Sequence, residues 1–462
     1  MSDELSQRLK ARHVNMIAIG GSIGTGIFLA SGYTISVGGP GGALFAYIMM
    51  ALIVYLLMTS LAEMSAYKPT SGTFCEYATL FVGKPFGIAM GYNYWLNWAI
   101  TIAAEISAAS IIMHYWFPHV HEIIFPVLFF VAILLSNLFS VRVYGEIEYG
   151  LSFIKVAVII IFIVLGAVSV FQQPHFGGQN WKIEDAPFHH GWLGFISVFL
   201  LAGFSFQGTE LVGVASGETE NPTETIPKCI KYVFWRLALF YIVSIFIITL
   251  LIPFNDPQLM HQNSVQMSPY TLIFSQYLSH YAGDMVNFVI LIAVLSAANA
   301  SMYSATRILW YLGKTNQAPK IFRKTNRFSI PIVALLATAL IGSTVFISSI
   351  VGNGILFSYL IQISSFSGFI AWFGIALSHY HFRKKYLPGH GGLISLSYRA
   401  KGYPYAQLFS MAAICFIIAA QIIPLSNTSS AFHLGNMLAL YSSVICFIIF
   451  YLIVKLWDLY NR

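Results

Sequence analysis

Charge is what this chain lacks most. Asp, Glu, Lys and Arg make up only 9% of its 462 residues, against about 25% in an ordinary soluble domain, and that scarcity excludes a water-soluble globule. Cysteine is scarce too: Cys75, Cys229, Cys415 and Cys446 lie far apart, so no disulfide or metal framework is suggested. No cleavable leader is expected, because Met1 to His13 is polar and mixed in charge and the apolar segment after it is too long for a signal core. A clustered catalytic set is also missing. His189-His190 and His379/His381 are assigned to loops without a metal-ligand pattern with nearby acids, so an integral membrane enzyme is not expected.

What the chain has instead is apolar length. Hydrophobic residues are 57% of it, and they fall into twelve segments, approximately 14–36, 40–66, 88–116, 121–141, 149–171, 191–216, 230–253, 284–312, 331–350, 354–380, 404–424 and 433–457. Each is near the ~20 residues that cross a bilayer as a helix. The expected fold class is an all-α polytopic membrane protein, with the third, sixth, eighth and tenth segments the ones that could tilt or break. Orientation follows from the basic residues. With the N-terminus in the cytoplasm, Lys182 alone falls on the far side, whereas Lys314, Lys320, Arg323, Lys324 and Arg327 crowd one inner loop and Arg383, Lys384, Lys385, Arg399 and Lys401 another. The positive-inside rule then puts both termini in the cytoplasm. The formal charge of +7 is explained by loops facing anionic lipid, and gives little support to a nucleic-acid partner.

Two stretches break the apolar pattern. Gly20-Gly21-Ser22-Ile23-Gly24-Thr25-Gly26 places four glycines in seven positions of the first segment, each costing roughly 0.8–1.0 kcal/mol relative to alanine in a helix. A local break is expected there, although close helix packing through small residues is the alternative. The sixth segment holds Phe204-Ser205-Phe206-Gln207-Gly208-Thr209-Glu210, a second candidate break. Gly24 and Gly208 are 184 residues apart, about five spans, and an odd number of spans makes the two halves run oppositely through the membrane. Paired breaks in inverted halves point to a transporter site at the midplane, with free backbone N–H groups able to hold a carboxylate.

Ionisable residues inside the apolar segments carry the rest of the reading. Glu105 falls deep in the third segment, where an acid costs at least ~2.5–3.5 kcal/mol; it either hydrogen-bonds a neighbouring helix in its protonated form or binds a proton or an amine. Lys155 falls about two turns into the fifth segment, and either snorkels to the surface or points into the bundle as a proton carrier. Glu63 ends the second segment as a surface or packing charge. The aromatic run Tyr92 to Trp98 is assigned to an interfacial belt and packing. Ser296, Asn299, Ser301 and Ser304 mark the eighth segment as a close-packing helix. The tenth holds Gln362, Ser364, Ser365, Ser367 and Gly368, and the last two look like scaffold or an oligomer face.

Taken together, Ile19 to Phe28, Gly91 to Ala104 with Glu105, Phe204 to Leu211, Gly217-Glu218 with Asn221-Pro222 and Ile226-Pro227, and Gly368 to Trp372 through Ser378-His379-Tyr380 resemble the amino acid transporter family of the amino acid–polyamine–organocation superfamily. The Phe-Gln-Gly-Thr-Glu form of the sixth-segment motif and the tail of the tenth are most similar to bacterial lysine-specific permeases and fungal basic amino acid permeases. The resemblance implies a leucine-transporter-like five-plus-five inverted repeat plus two C-terminal helices. It divides the chain into a tail 1–13, repeats 14–171 and 191–380, a loop 381–403, the final pair 404–457 and a tail 458–462.

The activity it implies is proton-coupled uptake of an L-amino acid, lysine first and then arginine, across the cytoplasmic membrane, with the proton as coupling ion and no cofactor. Ser22, Ile23, Gly24, Thr25 and Gly26 match the family's carboxylate-binding loop, and Phe204, Ser205, Phe206, Gln207, Gly208 and Thr209 the loop taking the α-amino group. Lys155 matches the fifth-helix lysine that replaces sodium in proton-coupled relatives. The substrate side chain would lie toward Thr101, Glu105, Glu210, Ser364 and Ser365, with Lys155, Glu105 and Glu210 as carriers of the coupled proton. Glu105 stands where bacterial lysine permeases usually have aspartate, which leaves a neutral amino acid permease or exchanger as the alternative, alongside a sensor that binds without moving its ligand. The expected partners are the amino acid, the bilayer, and at most a second copy in a homodimer.

Overall fold

A computed structural model describes residues 22–70, 72–138, 141–214, 222–261, 264–265, 267–326, 329–423 and 433–460. Ile19, Gly20, Gly21, Ser71 and the Ser216 to Asn221 motif lie outside the described residues. The described chain is almost wholly helical, with one antiparallel pairing of two-residue strands, Met260–His261 against Ser264–Val265.

The long helices, in chain order, are α1 (Ser31–Tyr67), α2 (Lys84–His114), α3 (Ile124–Ser136), α4 (Val141–Gln172), α5 (Gly191–Phe206), α6 (Pro222–Leu251), α7 (His280–Lys314), α8 (Ile332–Gly342), α9 (Asn353–His381), α10 (Tyr405–Ala420) and α11 (His433–Tyr460). Seven described stretches are long and apolar enough to cross a membrane, and four shorter apolar helices of 10–17 residues accompany them.

Several boundaries have clear local causes. The first two apolar segments meet at Gly39, where α1 is two helices joined across a non-helical residue: Gly39 takes φ 71° and ψ 175° ahead of Pro40, a backbone open to glycine, and the proline ring denies the next turn its hydrogen bond. Pro85 lies in the first turn of α2, where its missing N–H costs nothing. The third, eighth and tenth segments, expected to tilt or break, form the uninterrupted helices α2, α7 and α9. The ninth, expected to run unbroken, changes instead: α8 tightens into a 3₁₀ turn at Ser343–Ile347 before a last helical turn, Ser348–Val351.

The helices pack as two groups. α1 lies against α5 and α6; α2 lies against α7, α8, α9 and α11. α9 touches α5 as well as α2, and α4 touches both α6 and α7, so these two join the groups. Helix α4 shows how the surface divides. Glu148, Ser152, Lys155, Ile159 and Phe162 are buried on one face, while Phe153, Ile160, Val164, Val168 and Phe171 are exposed on the other, a stripe at helical spacing. The final helix is almost bare, with Ile449, Ile453, Leu456 and Trp457 all outward; such an apolar face belongs against lipid or another chain.

Candidate functional site

Both expected breaks are present. Ser22 is helical, Ile23 and Gly24 are not, and the helix resumes through a π-helical turn at Gly26–Ala30. Helix α5 stops at Phe206: Gln207 is extended and Gly208 has φ 98°, a conformation that strains any residue with a Cβ. A short helix, Leu211–Val214, follows.

The two breaks touch. A Cβ on Gly26 would lie 2.5 Å from the Cα of Ser205, and one on Gly24 would lie 2.8 Å from Glu105 Oε1 and 2.9 Å from the Cβ of Ala297. The glycines of the first segment therefore serve close approach as well as interruption. Tyr47 ties the crossing from outside, its hydroxyl 2.7 Å from Ser205 Oγ, and Tyr241 donates to the carbonyl of Ser22 at 2.7 Å.

Glu105 is the hinge of the arrangement. Thr25 gives it two donors, the hydroxyl to Oε1 at 3.0 Å and the backbone N–H to Oε2 at 3.4 Å. The N–H that the sequence assigns to a substrate carboxylate is thus held by a carboxylate of the protein itself. Along α2, Asn93, Asn97, Thr101 and Glu105 repeat every fourth residue and are all buried, making a polar stripe about 18 Å long at 1.5 Å per residue. Helix α9 answers it. Asn93 donates to the carbonyl of Ser367 at 2.9 Å, Ser364 donates to Asn97 Oδ1 at 2.8 Å, and Thr101 Oγ1 lies 2.8 Å from Ser364 Oγ.

Gln207 lies between these groups. It accepts from Asn97 at 3.4 Å and directs its amide N–H₂ to the carbonyls of Ser364 and Ser365 at 3.4 and 3.3 Å. Ser22, Gly24, Gly26, Trp98, Thr101, Glu105, Phe204 and Gln207 enclose a cavity of about 10 Å³, room for roughly one water molecule.

Other expected residues lie around this cavity. Ser364 and Ser365 stand behind Gln207, Ser365 donating to Ile361 of its own helix. Glu210 does not line the cavity; it accepts from Tyr94 Oη at 3.1 Å and Trp372 Nε1 at 3.3 Å. Thr209 donates to the Phe206 carbonyl at 3.1 Å.

Lys155 is fully buried, so it does not snorkel. Its Nζ is 3.7 Å from Glu148 Oε1, and Ser296 donates to Glu148 at 2.7–2.8 Å. Lys155 also attracts Glu105 through space, so a buried acid–base–acid series runs from the cavity toward the start of α4. Ser296 is the one serine of its group turned to such a site. Ser301 and Ser304 donate to carbonyls of their own helix, and Asn299 binds Ser136 and Asn137.

Three further expectations are narrowed or corrected. Glu63 is the packing charge of its two alternatives: it is fully buried, bonded by Arg383 Nε at 2.7 Å, Arg383 Nη2 at 2.5 Å and the Ala400 N–H at 2.5 Å, with His379 Nε2 3.0 Å away. The run Tyr92 to Trp98 packs as expected, but not as a belt throughout: Tyr92 and Trp95 are part-exposed, whereas Tyr94 and Trp98 are buried, Trp98 at the site. The histidines do have acids beside them: His379 lies within α9 next to Glu63, and His189 Nδ1 is 2.6 Å from Asp185 Oδ1.

Comparison with known proteins agrees with this architecture. The family described as Amino acid permease matches residues 13–458. This chain belongs to the amino acid permease family. The permease is 47% identical to the lysine-specific permease LysP of Escherichia coli (strain K12) over 422 residues, 90% of this chain and 86% of the relative. It is 43% identical over 429 residues to LysP of Lactococcus lactis subsp. cremoris (strain MG1363), covering 90% of this chain and 84% of the relative. It is also 43% identical to the histidine permease HisP of that organism over 454 residues, 97% of this chain and 94% of the relative. The permease is accordingly a multi-pass membrane protein of a transporter family, not of an enzyme family.

Residues that sequence reasoning did not single out as site residues complete the candidate site: Trp98 at the cavity, Asn97 on Gln207, Tyr94 and Trp372 on Glu210, Glu148 on Lys155 and Ser296 on Glu148. The four-residue repeat Asn93-Asn97-Thr101-Glu105 was the available signal for Asn97.

Proposed function

We propose that this permease takes up an L-amino acid with a proton by alternating access, lysine first and arginine next. The observation that carries this reading is the meeting of two interrupted helices at a buried polar cavity with Glu105 bonded into the first of them. Seven long apolar stretches, four shorter helices and the kink at Gly39 support twelve crossings. The packing of α2 on α7 and of the first break on α5 supports a leucine-transporter-like inverted repeat with α10 and α11 added. Both termini would then be cytoplasmic and the basic loops would face the cytoplasmic membrane's inner surface.

In this mechanism the substrate carboxylate and the Glu105 carboxylate compete for the same Thr25 donors. Protonating Glu105 weakens its hold, because a neutral acid is a poorer acceptor than a carboxylate. The Thr25 N–H is then free for the substrate, whose ammonium group would meet backbone carbonyls of the sixth-segment break. Proton and amino acid therefore favour each other, as coupled ligands must by linkage. Lys155 supplies a fixed positive charge between Glu105 and Glu148, in the place a metal cation would otherwise fill. The cavity must widen to admit an amino acid, and rocking of the α1, α5 and α6 group against α2 and α7 does so only by the substrate's greater affinity for one state.

Competition of the twenty amino acids against radiolabelled lysine uptake tests the substrate, with and without a proton uncoupler. Lysine and then arginine should compete best, and the uncoupler should remove accumulation. The 43% identity to a histidine permease makes histidine the informative third competitor; its winning would move the assignment from lysine. Uptake indifferent to the uncoupler would indicate exchange, and binding without counterflow in proteoliposomes a sensor. A second test isolates the coupling. Glu105→Gln should still bind lysine, but with an affinity that no longer rises between neutral and mildly acidic pH; an unchanged pH response removes Glu105 from the coupling step.

A further inference from the structure

Between the 3₁₀ turn Pro174–Trp181 and α5, the chain gathers three potential metal donors. Asp185, His189 and His190 each place a ligand atom within 4.8 Å of the other two, and all three are at least partly open to solvent. His189 Nδ1 and Asp185 Oδ1 are 2.6 Å apart, and the other carboxylate oxygen accepts from the backbone N–H of His190 at 2.8 Å. His190 adopts φ 53°, which turns its ring back against that of His189 with centroids 3.8 Å apart. The histidine pair stood in the sequence as one lacking an acid, and the structure supplies it.

The fold holds this cluster in shape. The Pro187 carbonyl accepts from the N–H groups of Gly41 and Gly42 at 2.8 and 3.3 Å, and the His189 N–H donates to the Gly38 carbonyl at 3.2 Å. The His189 ring lies 4.6 Å from Phe254, and Asn255 donates to Glu184 Oε1 at 2.7 Å. The segment is thus anchored on both sides, to the α1 kink and to the chain beyond α6.

We propose that Asp185, His189 and His190 form a binding site for a first-row divalent cation of the Zn²⁺ class, separate from the amino acid cavity. Two imidazoles and a carboxylate are the mixed N/O donor set that suits Zn²⁺. At Zn–N and Zn–O distances near 2.0–2.2 Å, tetrahedral ligand atoms lie roughly 3.3 Å apart. The ion takes the place of the proton shared by His189 Nδ1 and Asp185 Oδ1, and that pair opens by under about 1 Å. The fourth position is left to water, as in sites that keep an exchangeable ligand.

The test needs no transport. Purified, tag-free full-length permease in detergent is titrated with Co²⁺ and its visible absorption recorded, then Zn²⁺ is added in competition. One equivalent of Co²⁺ should give the intense band of a tetrahedral site, and Zn²⁺ should bleach it. His190→Ala and Asp185→Asn should each weaken binding by about tenfold or more. Asp185→Asn keeps an acceptor for the His190 N–H and His190 is exposed, so a metal-free thermal midpoint equal to that of the unaltered permease serves as the check that both variants are folded. Absence of the band, or an affinity unaltered in both folded variants, overturns the site. Because the readout is the metal's own spectrum, its failure leaves the transport proposal standing, and failure of transport leaves the metal site standing.

Discussion

Lys155→Ala is expected to reduce proton-driven lysine accumulation in proteoliposomes to the level of the external medium, while counterflow between equal pools continues. The structure gives the reason: Lys155 is fully buried on α4, 3.7 Å from Glu148, and its charge acts on Glu105 through space. Removing the ammonium leaves two buried acids without their shared cation. The driving force can then no longer be linked to the substrate's binding state, although the helices that rock are untouched. Wild-type accumulation under a pH gradient would show that the coupled proton does not need Lys155. An uncompensated buried charge also threatens folding, since breaking such a pair costs about 3–5 kcal/mol. A Glu148→Gln, Lys155→Met double variant removes both charges and separates the effects: it should recover thermal stability but not accumulation.

The second large effect is on stability. Arg383→Ala should lower the stability of the detergent-solubilised permease by about 3–5 kcal/mol, read as a marked fall in its thermal midpoint. Glu63 takes both nitrogens of the Arg383 fork and the Ala400 N–H, and Arg383 returns a bond to the Ala400 carbonyl at 2.9 Å. This knot joins the end of α1 to the end of α9 and to the chain leading into α10. Without the guanidinium, Glu63 keeps one backbone donor and neighbouring His379 in a place shut off from water. Adding Glu63→Gln to Arg383→Ala should restore part of the loss, because a neutral amide tolerates that enclosure. A midpoint within about 1 kcal/mol of wild type for Arg383→Ala would mean that the knot is solvated and worth no more than a surface pair.

These residues show how much of the permease could be read from its sequence. The breaks at Gly24 and Gly208 were legible because glycine and small hydroxyls are improbable in an ordinary apolar helix. Glu105 was legible because an acid so deep in an apolar segment needs a partner, though the sequence could not say that the partner was Thr25. Lys155 was ambiguous by depth alone. The spacing of Glu148, Ser152, Lys155, Ile159 and Phe162 opposite Phe153, Ile160, Val164 and Phe171 would have settled it, since a lysine on the face opposite the lipid stripe cannot snorkel. Glu63 was left open between surface and packing because its partners come from residues more than 300 positions later, and pairing at that distance leaves no local pattern. The histidines failed for a different reason. Asp185 is only four residues before His189, but it took a left-handed His190 to bring the second ring into reach.

The size of the central cavity has its own consequence for the cell. For a permease driven by protons, as proposed, a continuous file of water would be a short circuit for the gradient, because it would carry protons through unaccompanied. Space for about one water, with Glu105 drawn tight onto Thr25, interrupts any such file. On that proposal, the Thr25–Glu105 contact that reserves the binding loop also keeps the resting protein from leaking.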